Sequence, residues 1–136
     1  MKTFKLKSLQ VIESENEEIS KKDTTLVDGL IINREDDKSN WLIEAFLEVD
    51  YLDYFNELRQ RQEQVLVEVR ISKDTNDPAT FITTIDSLNN INDYISVILI
   101  GTIVDKRKSK IEEMLGELIE QGYQGEELLE RFKKQL

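Results

Sequence analysis

Carboxylates are the only chemically capable side chains that this sequence gathers closely. Asp74-x-Asn76-Asp77 has the opening spacing of a calcium loop, in which oxygen ligands alternate around a hard cation. The match ends there. The sixth-position glycine is missing, and Ile85 stands where a bidentate glutamate would have to close the shell. A solvated turn is the better reading. In Glu35-Asp36-Asp37 three adjacent carboxylates cannot converge on one ion, so this run reads as an exposed loop. Paired acids for glycoside cleavage need a defined separation, and nothing singles out a pair among 28 Asp and Glu residues. Serine and lysine are present, but no glycine-flanked serine elbow is. The chain has neither cysteine nor histidine, which removes thiol nucleophiles, imidazole bases, disulfides and the usual transition-metal ligands together. No catalytic, cofactor or metal residue is assigned, and the chain reads as a non-enzyme.

The remaining candidates bind rather than react. Lys106-Arg107-Lys108, with Lys110, is the one basic cluster, and it lies where a helix should begin, so its charge opposes the helix dipole. Without interleaved aromatics it does not suit nucleic-acid stacking. It reads either as a solvated hinge or as a steering patch for an acidic partner. Trp41, Tyr51, Tyr54, Phe55, Phe81 and Tyr94 are read mainly as core, with a ligand pocket in a barrel mouth as the alternative.

Strand-like periodicity must position these groups as far as Asp105. Residues 64–72 are the cleanest case, with Val65, Val67, Val69 and Ile71 on one face and Glu68, Arg70 and Ser72 on the other. Residues 3–13 alternate with a change of parity near Lys7-Ser8, the mark of a bulge. Residues 26–33, 41–49, 80–88 and 94–104 are further strands, joined by connections rich in Asn and Asp. Residues 14–23 are polar enough to predict an exposed loop. Between residues 41–49 and 64–72, Asp50 is expected to cap a short helix carrying Tyr51, Tyr54, Phe55 and Leu58 on one stripe.

After Asp105 the period becomes helical. Ser109 and Glu112 have capping-box spacing, Ile111, Met114, Leu115, Leu118 and Ile119 form a stripe, and Gly122 stops the helix. A second stripe of Leu128, Leu129, Phe132 and Leu136 follows Gly125. The fold class is therefore mainly β (α+β): an antiparallel β-barrel core over residues 1–104 with one short helix, then a C-terminal two-helix hairpin over 105–136. The two stripes either pack on the barrel or leave a groove that a partner fills, with Leu118, Leu129 and Phe132 as apolar anchors.

Net charge is −10, concentrated in the body: residues 1–104 carry 20 acidic and 11 basic side chains, and 105–136 carry 8 and 7. A field of that sign disfavours nucleic acid and anionic lipid. No apolar run approaches the length of a membrane span or of a signal-peptide core, so a cytoplasmic location without membrane insertion is expected.

Met1-Lys2-Thr3-Phe4-Lys5-Leu6 with Leu9-Gln10-Val11, Asp28-Gly29-Leu30-Ile31-Ile32-Asn33, Trp41-Leu42-Ile43-Glu44-Ala45-Phe46, Asn76-Asp77-Pro78-Ala79 and Gly125-Glu126-Glu127-Leu128-Leu129 together resemble the YwpF-like family of low-GC Gram-positive bacteria. The resemblance spans essentially the whole chain. It implies a β-barrel core similar to the tube-forming Hcp proteins of type VI secretion, followed by a helix pair, and it transfers no catalytic or binding residue. The expected function is that of a non-enzymatic cytoplasmic adaptor, a monomer that meets an unidentified protein partner through the helix pair with Lys106, Arg107, Lys108, Leu118, Leu129 and Phe132. Small-molecule binding in the barrel mouth and a self-assembling Hcp-like barrel are the alternatives.

Overall fold

The structure, a computed structural model, describes residues 1–15, 18–36, 40–104 and 108–135. These form seven strands and three α-helices: β1 (Lys2–Glu15), β2 (Glu18–Asp23), β3 (Leu26–Asn33), β4 (Trp41–Glu48), α1 (Leu52–Arg61), β5 (Val65–Ile71), β6 (Ala79–Ile91), β7 (Tyr94–Val104), α2 (Lys108–Glu120) and α3 (Gly125–Gln135). Six strands close an antiparallel barrel in the order β1-β3-β4-β7-β6-β5, with β5 returning to β1. The long β1 serves both edges: Lys2–Lys5 pair with β3, Leu6–Ile12 with β5, and the far half with β2. The parity change at Lys7-Ser8 is real, since the β1–β5 register shifts between Leu6 and Ser8.

Alternation decides what lies inside. Ile31, Ile43, Leu47, Val67, Phe81, Val97 and Leu99 point inward and are fully buried. A 3-10 turn (Val49–Tyr51) leads into α1, whose Phe55 and Leu58 enter the same core and plug one end. No capping side chain starts this segment: Asp50 falls inside the 3-10 turn, and neither Glu48 nor Tyr51 at the two N-terminal boundaries makes a cap bond. On the seam between β6 and β7, a Cβ on Gly101 would sit 2.0 Å from the Ile82 carbonyl oxygen, so the seam admits no side chain there.

Two expected loops are strand instead. Residues 18–23 form β2, paired to β1 from Gln10↔Asp23 to Glu15↔Glu18. An edge strand with a wetted outer side needs no apolar alternation, which is why its composition resembled a loop. β6 runs on to Ile91, because Asn92 takes a left-handed conformation (φ 57°) and Asn92-Asp93 alone turn the chain.

The helix pair lies on the outside of the barrel. Ile111, Leu115, Leu118 and Ile119 of α2 and Leu128, Leu129 and Phe132 of α3 bury a second core against the outward Ile12 of β1, Leu66 of β5, Ile82 of β6 and Val104 of β7. Gly122 (φ 95°) ends α2 in a Schellman arrangement, with Tyr123 N donating to Leu118 O at 3.1 Å and Gly122 N to Ile119 O at 2.9 Å.

Candidate functional site

Each carboxylate run acts as part of a turn. Asn76 Nδ2 donates to Ile71 O at 2.6 Å and Arg70 to the Asn76 carbonyl, which folds the Asp74–Asp77 segment back onto the end of β5. Glu35 pairs with the N-terminal ammonium at 3.1 Å, and Asp36 accepts from Asn40 N at 2.9 Å; Asp37 lies outside the described residues. No group of three or more acidic residues among the described residues is arranged to hold a metal ion.

The aromatic set divides between inside and outside. Phe55 and Phe81 are fully buried, and Trp41 meets Phe81 edge-on at 5.3 Å. Tyr51 and Tyr54 pack against the same core. Tyr94 faces outward, 40% exposed, stacked on Phe46 at 5.0 Å. Two surface grooves, of about 410 and 390 Å3, lie beside α3: one reaches Ile100 and Thr102 of β7, and the other is bounded by Glu13, Arg61 and Gly125.

The expected partner-binding residues are placed as follows. Leu118, Leu129 and Phe132 are 1%, 5% and 0% exposed, so they sit inside the second core rather than on a surface. Further contacts hold the pair down. Glu126 accepts from Gln64 N at 3.0 Å and from Gln64 Nε2 at 2.9 Å, and Lys21 Nζ lies 3.4 Å from both Glu68 of β5 and Glu112 of α2. Lys106 and Arg107 lie outside the described residues, and Lys108 is described through its backbone alone, opening α2.

What remains exposed is the opposite side of the barrel. The helix pair covers β1, β5, β6 and the Val104 end of β7; across the ring stand β3, β4 and the rest of β7. Their outward residues align in rows fixed by register: Ile32, Leu42 and Ile100 in one, Leu30, Glu44 and Ile98 in the next, then Asp28, Phe46 and Ser96. Leu30, Ile32, Leu42, Phe46, Ile98 and Ile100 are all half-buried, and none belongs to either core. Glu44, in the middle of this surface, makes no hydrogen bond or ion pair among the described residues. Together with Asp28, Leu30 and Phe46 it lines a dimple of about 150 Å3. Asp28 bonds to Lys5 Nζ at 2.8 Å and to Gly29 N, which holds its carboxyl below the usual carboxylate range. Glu48 and Asp86 add exposed negative charge at the border.

The order of these segments agrees with a known group: the model of the YwpF-like protein family matches residues 2–135. The chain belongs to this family. A YwpF-like relative, "Uncharacterized protein YwpF" of Bacillus subtilis (strain 168), is 38% identical over 136 residues and is covered, as is this chain, over its full length. A crystal structure of a hypothetical protein from Staphylococcus aureus superposes with a TM-score of 0.69 at 33% identity, covering 98% of this chain and 91% of that one.

In this YwpF-like chain the outer β3–β4–β7 flank escaped sequence reasoning, although a signal for it exists. Leu30-Ile31-Ile32, Trp41-Leu42-Ile43 and Val97-Ile98-Leu99-Ile100 are unbroken apolar runs, the pattern of strands apolar on both faces.

Proposed function

We propose that this protein is a non-enzymatic cytoplasmic adaptor that holds a basic protein partner on the β3–β4–β7 flank. One observation carries the reading: six apolar side chains face outward on a surface that neither core covers, together with the carboxylate of Glu44, which is unpaired among the described residues. Contiguous exposed apolar surface with a polar border is characteristic of interaction sites. The helix pair, which the sequence offers as a docking element, has its stripes engaged by the barrel and is read as part of the scaffold. The partner is basic rather than acidic, because Glu44 stands in the middle of the flank with Glu48 at its border, while Asp28 beside them is paired with Lys5.

The test is an affinity capture comparing the intact chain with Leu42→Asp, on the flank, and Lys134→Asp, on the exposed side of α3. A partner held by the intact chain and by Lys134→Asp but lost by Leu42→Asp supports the reading, provided circular dichroism shows the variant folded. Retention by Leu42→Asp refutes it.

A further inference from the structure

The shape and charge of the flank specify the occupant more narrowly. We propose that it is a cationic amphipathic helix, lying along the β3–β4–β7 surface with a lysine or arginine seated on Glu44. This rests on the interaction reading above and names the partner for that same site.

An added strand would find no free edge beside Glu44. β4 is paired along both edges, to β3 through Trp41–Leu47 and to β7 through Trp41–Glu48, β7 continues into β6, and β3 is paired to β1 through Leu30–Asn33. A helix fits the dimensions. Three strands about 4.8 Å apart make a face about 10 Å wide, and the four residue steps from Leu42 to Phe46 span about 13 Å, matching a helix about 10 Å in diameter over more than two turns. This barrel already accepts helices on the opposite flank, where Ile12, Leu66 and Ile82 supply the same kind of outward apolar row.

Charge selects among helices. A second copy packed face to face would set its Glu44, Glu48 and Asp28 against the same three groups, and like charges in an interface centre oppose association. Among the described residues, Lys5 pairs with Asp28, Arg34 at the end of β3 pairs with Asp36, and Lys133 of α3 lies on the groove beyond Ile100. Glu44 therefore has acceptor capacity to offer, surrounded by Leu30 and Phe46, which a lysine or arginine stem can cover while its head reaches the carboxylate.

The probe is a labelled synthetic helix of about 18 residues with leucines at i, i+3, i+4 and i+7 and lysines flanking the stripe, titrated with the full chain by fluorescence anisotropy. Its counterpart carries glutamates in place of the lysines. Saturable binding of the lysine peptide, weakened about tenfold by the near-isosteric Glu44→Gln and by raised salt, is the expected result. Asp77→Asn on the distant turn should leave it unchanged. Equal binding of both peptides, insensitivity to Glu44→Gln, or no binding overturns the inference. So does concentration-dependent dimerisation abolished by Leu42→Asp, which would assign the flank to a second copy. If Leu42→Asp loses its captured partner while the lysine peptide fails to bind, the interaction reading stands and the cationic helix falls.

Discussion

Phe132→Ala measures how firmly the helix pair is bound to the barrel. Phe132 is fully buried in the second core, in the same cluster as Leu66, Ile82, Leu118 and Leu129. Truncating such a side chain removes its transfer free energy and leaves a cavity, together about 3–5 kcal/mol. Leu42→Ala removes a similar aliphatic mass from the uncovered flank, where the half-exposed side chain touches neither core, and should cost less than about 1 kcal/mol. Urea unfolding followed by circular dichroism gives both values. At about 3 °C per kcal/mol, Phe132→Ala should also lower the melting temperature by about 10 °C. A single transition with the m-value preserved is expected, since both cores share β1, β5 and β6. If Phe132→Ala cost less than about 1 kcal/mol, the helix pair would not be docked in solution and the assignment of its stripes to the second core would be wrong. A lower m-value in the variant would mean that the pair detaches before the barrel unfolds.

Gly101→Ala should destabilise by about 3 kcal/mol, because the new methyl group meets the backbone of Ile82 and Thr83, which can yield only by parting β6 from β7; a denaturation midpoint equal to that of the parent would refute the close approach. Gly122→Ala should cost about 1–2 kcal/mol, since an L-residue at φ 95° is strained with open space around it, and the same unfolding measurement checks it. Asp28 should titrate below an ordinary aspartate. Because the folded form holds the charged state more tightly than the unfolded chain does, its contribution is present above the unfolded pKa and is lost as pH falls through the folded value. Carboxyl NMR shifts should follow this, and Lys5→Ala should raise the midpoint; an unmoved midpoint would remove Lys5 as the principal cause.

Strand identity was legible where apolar residues recur at every second position. Val65, Val67 and Val69 do so, and the structure confirms their inward side; the outward side of β5 is buried as well at Leu66 and Glu68, which the alternation did not reveal, while the shift between Leu6 and Ser8 was readable as a change of parity. Legibility failed for surfaces that depend on distant partners. Residues 18–23 carry almost no apolar signal, because β2 owes its form to pairing with β1 rather than to a buried face of its own. The stripe containing Leu118 and Phe132 was recognised, but its destination was not, since the receiving surface is assembled from Ile12, Leu66 and Ile82 on three separate strands. Periodicity reports that a face is apolar. Register alone reports whether anything covers it.

The ring order has a consequence for how the chain comes together. β7 is the last strand in sequence, yet it stands between β4 and β6, so β4 keeps one unpaired edge until residues 94–104 are available. Closure joins segments far apart in the chain, Trp41 with Gly101 and Ile12 with Leu66, and such long-range pairings slow folding. An emerging chain that has reached Ile91 therefore shows open strand edges and unbroken apolar runs at once, the state most exposed to misassociation. The receiving surface for α2 and α3 includes Val104 of β7 and is complete only once that strand is present. The helix pair thus acts as the terminal latch of assembly, docking productively only on a barrel that has already closed.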